Sequence, residues 1–145
     1  MKFASLAVFS VAVALTGCAA TGTKFAQQET ATPKLSQDMG RVYFYRSSSM
    51  FGAALRPNIK FDGGTVGESL PGGYFYVDAK PGSHEAETST EASNKVSFVL
   101  EKGETKYVRT KPAIGILVGR VVPELVGQEE AQKELVDLSF TGAPR

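Results

Sequence analysis

Residues 71–84 read Pro71-Gly72-Gly73-Tyr74-Phe75-Tyr76-Val77-Asp78-Ala79-Lys80-Pro81-Gly82-Ser83-His84. Two Pro-Gly turns bracket Tyr74–Ala79, whose aromatic and β-branched side chains suit a pleated, half-buried strand. A run this short, closed by turn residues at both ends, belongs to a domain built from strands. Side chains alternate along a strand, so Tyr74 and Tyr76 share one face while Phe75 and Val77 share the other.

The same grammar extends in both directions. Upstream, Gly40-Arg41-Val42-Tyr43-Phe44-Tyr45-Arg46 repeats the alternation, with Tyr43 and Tyr45 opposite Phe44. Arg56–Phe61 leads into Asp62-Gly63-Gly64, where glycine supplies positive φ for a hairpin turn, and Thr65–Leu70 answers as its partner. Downstream, Ser83–Thr90 places His84, Ala86 and Thr88 on one face. Lys95–Glu101 points Val96, Phe98 and Leu100 inward, and Thr105–Lys111 follows the Lys102-Gly103-Glu104 turn. Turns recurring every 8 to 12 residues or so predict an all-β fold, a small antiparallel β-sandwich of about seven to eight strands. Pro112–Val126 holds Ile116-Leu117-Val118 and Val121-Val122. It is expected to form one or two buried strands broken at Gly119 and Pro123, or else a short interfacial helix. Gly127–Leu138 is the one predicted helix, with Ala131, Leu135 and Leu138 at i, i+4 and i+7. The domain then spans 40–138, and 139–145 is expected to be a fraying tail.

The beginning of the chain follows different rules. Met1-Lys2 is a short positive start, and Phe3–Leu15 is an uncharged apolar run shorter than the ~20 residues needed to cross a bilayer. It ends in Leu15-Thr16-Gly17-Cys18, which reads as a lipobox. A signal peptidase recognising Leu15, Thr16 and Gly17 cuts before Cys18, and the cysteine is acylated on its sulfur and its new N-terminus. Residues 1–17 are then a lipoprotein signal peptide, and the mature chain has its membrane as partner through covalent lipid. Each buried methylene contributes about 0.8 kcal/mol, so several acyl chains hold firmly where one is marginal. Ala19 follows the cysteine, whereas an aspartate there commonly retains lipoproteins in the inner membrane. The expected location is therefore the outer membrane, facing the periplasm. Residues 18–39, rich in Ala, Thr and Gln, are expected to form a flexible tether, although Phe25 and Leu35 have the means to dock.

Lys and Arg number 16 against 15 Asp and Glu, and loss of Lys2 with the leader brings the mature chain to balance. That balance gives no electrostatic footprint for nucleic acid. Cys18 is the only cysteine, so acylation leaves no thiol for a disulfide or for thiolate chemistry.

Three segments carry a resemblance: Gly40–Arg46, Pro71–His84, and Gly103 with Tyr107-Val108-Arg109. Behind a lipobox, in this order, they resemble a family of small bacterial lipoproteins known only as a domain of unknown function, over roughly Gly40 to Leu125. The Pro-Gly turn followed by x-His also resembles small sandwich domains of surface-layer modules. The resemblance implies a lipid-anchored all-β domain of the cell envelope and carries over no catalytic residue.

Candidate chemistry is sparse. His84, the only histidine, has no nucleophile-elbow serine pattern around it and does not by itself make a zinc site. Asp62, Glu68 and Asp78 lie in or beside turns, where such residues serve the backbone. The glycines form neither a dinucleotide fingerprint nor a phosphate loop, so no cofactor or metal is expected. Tyr43, Tyr45, Tyr74 and Tyr76 form a strip flanked by Arg41 and Arg46. A sugar ring or protein partner can stack on it unless a second sheet, the Met50-Phe51 loop or the terminal helix covers it. The expectation is a non-enzymatic binding or structural module with a protein or glycan partner. The alternative is a cell-wall-acting hydrolase using His84 or a turn carboxylate.

Overall fold

The computed structural model describes residues 20–142. The proposed signal peptide, Leu15-Thr16-Gly17, Cys18 and Ala19, and the end of the proposed tail, lie outside them.

Among the described residues nine strands form two sheets. The first holds β1 (Gly40–Tyr45), β4 (Gly73–Ala79), β7 (Thr105–Ala113), β8 (Arg120–Val126) and β9 (Ser139–Phe140), in the order β8-β7-β1-β4-β9. The second holds β2 (Asn58–Phe61), β3 (Gly64–Glu68), β5 (Gly82–Ser89) and β6 (Ser93–Leu100), in the order β3-β2-β5-β6. The all-β sandwich expected from the turn spacing is present, with refinements. β1 is central, and it pairs antiparallel with β4 but parallel with β7, placing Tyr43 beside both Tyr76 and Tyr107. β9 also pairs in parallel with β4. Parallel pairing needs a crossover between distant segments, which period-2 patterning does not encode.

Alternation along β1 and β4 builds two cores. Val42, Phe44, Phe75 and Val108 meet Ile59, Phe61, Ala86, Phe98 and Leu100 between the sheets. On the outer face of the first sheet, Tyr43, Tyr45, Tyr74, Tyr76 and Tyr107 are covered by Ala131 and Leu135 of α2 (Gln128–Leu135) and by Leu138. The helix therefore forms a third layer with Ala131 and Leu135 buried; it ends at Leu135, short of the expected Leu138, which packs on the same tyrosines from the turn that follows.

Three expectations change. Residues 20–39 are not a free tether over their length. Phe25–Gln28 forms a helical turn, α1, and the Phe25 ring packs edge-on to Tyr43 and Tyr74 at 6.0 and 5.2 Å. Nor do residues 139–142 fray. Phe140 packs on Tyr74 and Tyr76, and the Thr141 amide donates to the Tyr74 carbonyl. Both segments dock because five tyrosine faces would otherwise meet water. Finally, the run Ile116-Leu117-Val118 is not a buried strand. It is the tip of the β7–β8 hairpin, and Pro123 sits in β8, an edge strand where a missing N–H costs no ladder bond.

Candidate functional site

Strand direction gives the sandwich two unlike ends. One end carries Asp62-Gly63, Lys80-Pro81 and Lys102-Gly103, turns of charged and small residues. At the other end lie the β1–β2 connection (46–57), the Leu70–Gly72 turn, the β5–β6 turn (90–92) and the β7–β8 tip (114–119). This second end is apolar. Met50 is 92% exposed, Ile114 80%, Ile116 96%, Leu117 87% and Val118 66%, with Phe51 at 56%. A groove of about 490 Å³ runs between the two loops, walled by Met50, Phe51, Leu55, Ile114, Leu117 and Val118.

Loops this apolar usually collapse onto themselves, yet polar side chains hold both of these open. Glu91, from the β5–β6 turn, accepts hydrogen bonds from the amides of Ile116, Leu117 and Val118 at 2.8, 2.8 and 3.0 Å. Backbone bonds from Val118 and Leu117 lead those that hold its carboxyl below the usual glutamate range. Three successive N–H groups converging on one anion make a nest, and its geometry turns the side chains outward. Gly115 is required there, since a Cβ would sit 1.7 Å from a Glu91 oxygen, and Gly119 turns the chain back at φ +104°.

The second loop is organised by Arg46, whose side chain is 1% exposed. Its guanidinium donates to the carbonyls of Leu55 at 2.5 Å, Gly52 at 2.6 Å and Ser69 at 3.3 Å. Burial works against its charge and lowers its pKa. Its backbone is tied to the neighbouring turn through Gly72 and Gly73. Arg46 therefore stands away from the tyrosine strip, on the opposite strand face from Tyr43 and Tyr45.

The other sequence-derived candidates are spent on structure. Tyr43, Tyr45, Tyr74 and Tyr76 are buried under α1, α2 and Phe140, which overturns the strip as a partner-binding surface. Burial pushes the hydroxyls of all four upward. Tyr45 donates to Glu134 at 2.5 Å, tying the helix to β1. Arg109 extends that link to Glu124, Glu130 and Glu134. Arg41 lies over the Tyr76 ring and forks onto Asp78 at 2.6 and 2.8 Å. His84 stacks on Phe61, and its two ring nitrogens contact Asp62 at 2.7 Å and the Lys80 carbonyl at 2.8 Å. Among the described residues no serine is a hydrogen-bond partner of His84. Glu68 pairs with Arg56. Among the described residues no cluster of three His, Cys, Asp or Glu side chains could hold a metal. No helix among them is long and apolar enough to cross a membrane.

The apolar end escaped the sequence reading. Met50-Phe51 is unusually apolar for a loop, but Ile116-Leu117-Val118 carries the same signal as a core strand.

The chain is 31% identical over 142 residues to a protein of Haemophilus influenzae described as uncharacterized, spanning 95% of this chain and 84% of that one. No solved structure matches it significantly. The model of the family described as protein of unknown function (DUF2846) matches residues 36–120, from the turn before β1 to the first residue of β8, and the chain belongs to this family.

Proposed function

We propose that the chain is a lipoprotein of the bacterial cell envelope, acylated at Cys18 and held in the outer membrane facing the periplasm. Its sandwich acts there as a non-enzymatic binding or structural module toward a protein or glycan of the envelope. The observation that carries this reading is the Leu15-Thr16-Gly17-Cys18 series directly behind an uncharged apolar run. The engagement of His84, Asp62, Asp78 and Glu68 in structural contacts supports the non-enzymatic half.

Cys18→Ser tests the anchor. The variant is expected in the soluble periplasmic fraction and free of label after growth with a radioactive fatty acid. Retention of the variant in the membrane fraction would overturn the anchor.

A further inference from the structure

The apolar end has an unused surface, and the path of the chain says what meets it. The described residues start at Ala20, whose amide donates to the Pro71 carbonyl at 3.3 Å. Its Cβ also lies beside Gly73. Pro71 belongs to the turn that Arg46 ties to the Met50-Phe51 loop, and Gly72 lies against Ser48. The chain thus enters the domain at the apolar end. Only two residue steps separate Ala20 from Cys18, and fully extended they reach about 7 Å. From Ala20 the chain runs the length of the sandwich, past α1, to Met39 at the polar end, where its carbonyl accepts from Gly103.

We propose that this end is a membrane-contact surface: Met50, Phe51, Ile114, Ile116, Leu117 and Val118 enter the interface of the bilayer that holds the lipidated Cys18. Which bilayer is met rests on the lipid-anchor reading above. The occupant is a lipid surface because a lipid on Cys18 holds the bilayer at the end of the sandwich that carries these side chains. Their composition fits as well. Ser47, Ser48 and Ser49 immediately precede Met50-Phe51 in the chain, and exposed Arg120 and Lys111 stand in the first and third residue pairs behind the other tip, at headgroup height. The turns that carry Asp62, Lys80 and Lys102 face away, toward the periplasm, while at the apolar end Glu91 is engaged by the tip amides and Arg56 pairs with Glu68. Glu91 and Arg46 fix both loops open beforehand, so insertion requires no ordering of either. The domain therefore sits upright on the membrane surface with its polar end outward, where a twenty-residue tether would have let it tumble.

A photoreactive diazirine amino acid placed at Leu117, or at Lys102 on the polar end, reads this in living cells. Crosslinks to radiolabelled phospholipid are expected from position 117 and not from 102. Crosslinks from 117 only to protein, whether a second copy or another chain, or none at all, would overturn the proposal. In parallel, the Cys18→Ser chain is sedimented with vesicles of phosphatidylethanolamine and phosphatidylglycerol. Ile116→Asp with Leu117→Asp is expected to reduce its partition at least roughly tenfold, and unchanged partition would count against the surface. The two readings fail separately. Fatty-acid labelling of Cys18 without lipid crosslinks at 117 leaves the anchor and removes the surface. Lipid crosslinks at 117 without labelling do the reverse.

Discussion

Arg46 and Glu91 do opposite jobs by the same means: each uses a charged group to satisfy backbone atoms of a loop that has no ladder to join. Arg46→Ala leaves the carbonyls of Leu55, Gly52 and Ser69 without their donor, at a cost of roughly 2–3 kcal/mol. A urea titration should show the lowered midpoint, and Arg46→Lys should recover only part of it, because one ammonium cannot span the fork. Glu91 gives a pH signature. Its folded pKa lies below the ordinary 4.5, so its contribution to loop order is complete above 4.5 and is lost as pH falls through the folded value. The Ile116, Leu117 and Val118 amides should be protected relative to intrinsic exchange rates at neutral pH and lose that protection selectively in acid. Glu91→Gln should lack that protection at every pH. Exchange that tracks intrinsic rates in the native protein would remove Glu91 as the organiser.

At the scale of elements, α2 is the third layer that makes the aromatic first sheet tolerable. The pair Ala131 and Leu135 was legible because helix period and buried face coincide, and Leu138 reaches the same face from the turn after the helix. Leu135→Ala should cost about 2–4 kcal/mol and disturb the tyrosine near-ultraviolet circular dichroism. A smaller loss, about 2 kcal/mol, is expected for Phe25→Ala, because its ring is only partly buried. A thermal melt of that variant indistinguishable from the parent would mean α1 does not hold the N-terminal segment down. β8 lay in a stretch open to strand or helix and β9 read as tail, whereas β1 to β7 were legible to within a residue or two, β1 and β4 best of all, since both carry period-2 aromatics between clear turns. Their order was not. β7 beside β1 depends on Tyr107 stacking against Tyr43 at 5.6 Å, a long-range contact that neither segment announces alone.

At the scale of the molecule, the sandwich is polar at one end and apolar at the other, with its N-terminal segment pinned at the apolar end. Because Ile116 and Leu117 contribute to no core, replacing both with Ser should leave the melting temperature unchanged or raise it slightly, while core changes of similar size lower it. A clear loss of stability would show that the tip packs against something within the fold. The sequence by itself determined the strand-and-turn rhythm, the terminal helix and the tyrosine alternation, because these are local periodicities written in neighbouring residues. It could not determine whether an apolar run is covered. Tyr43 and Tyr74 read either as a partner surface or as a face covered by the terminal helix, and are buried, while Ile116-Leu117-Val118 read as core and stands in solvent. Covering depends on what other segments bring across the fold: Phe25, α2 and Phe140 to the tyrosines, and the Glu91 carboxylate, which holds the hairpin tip away from everything else.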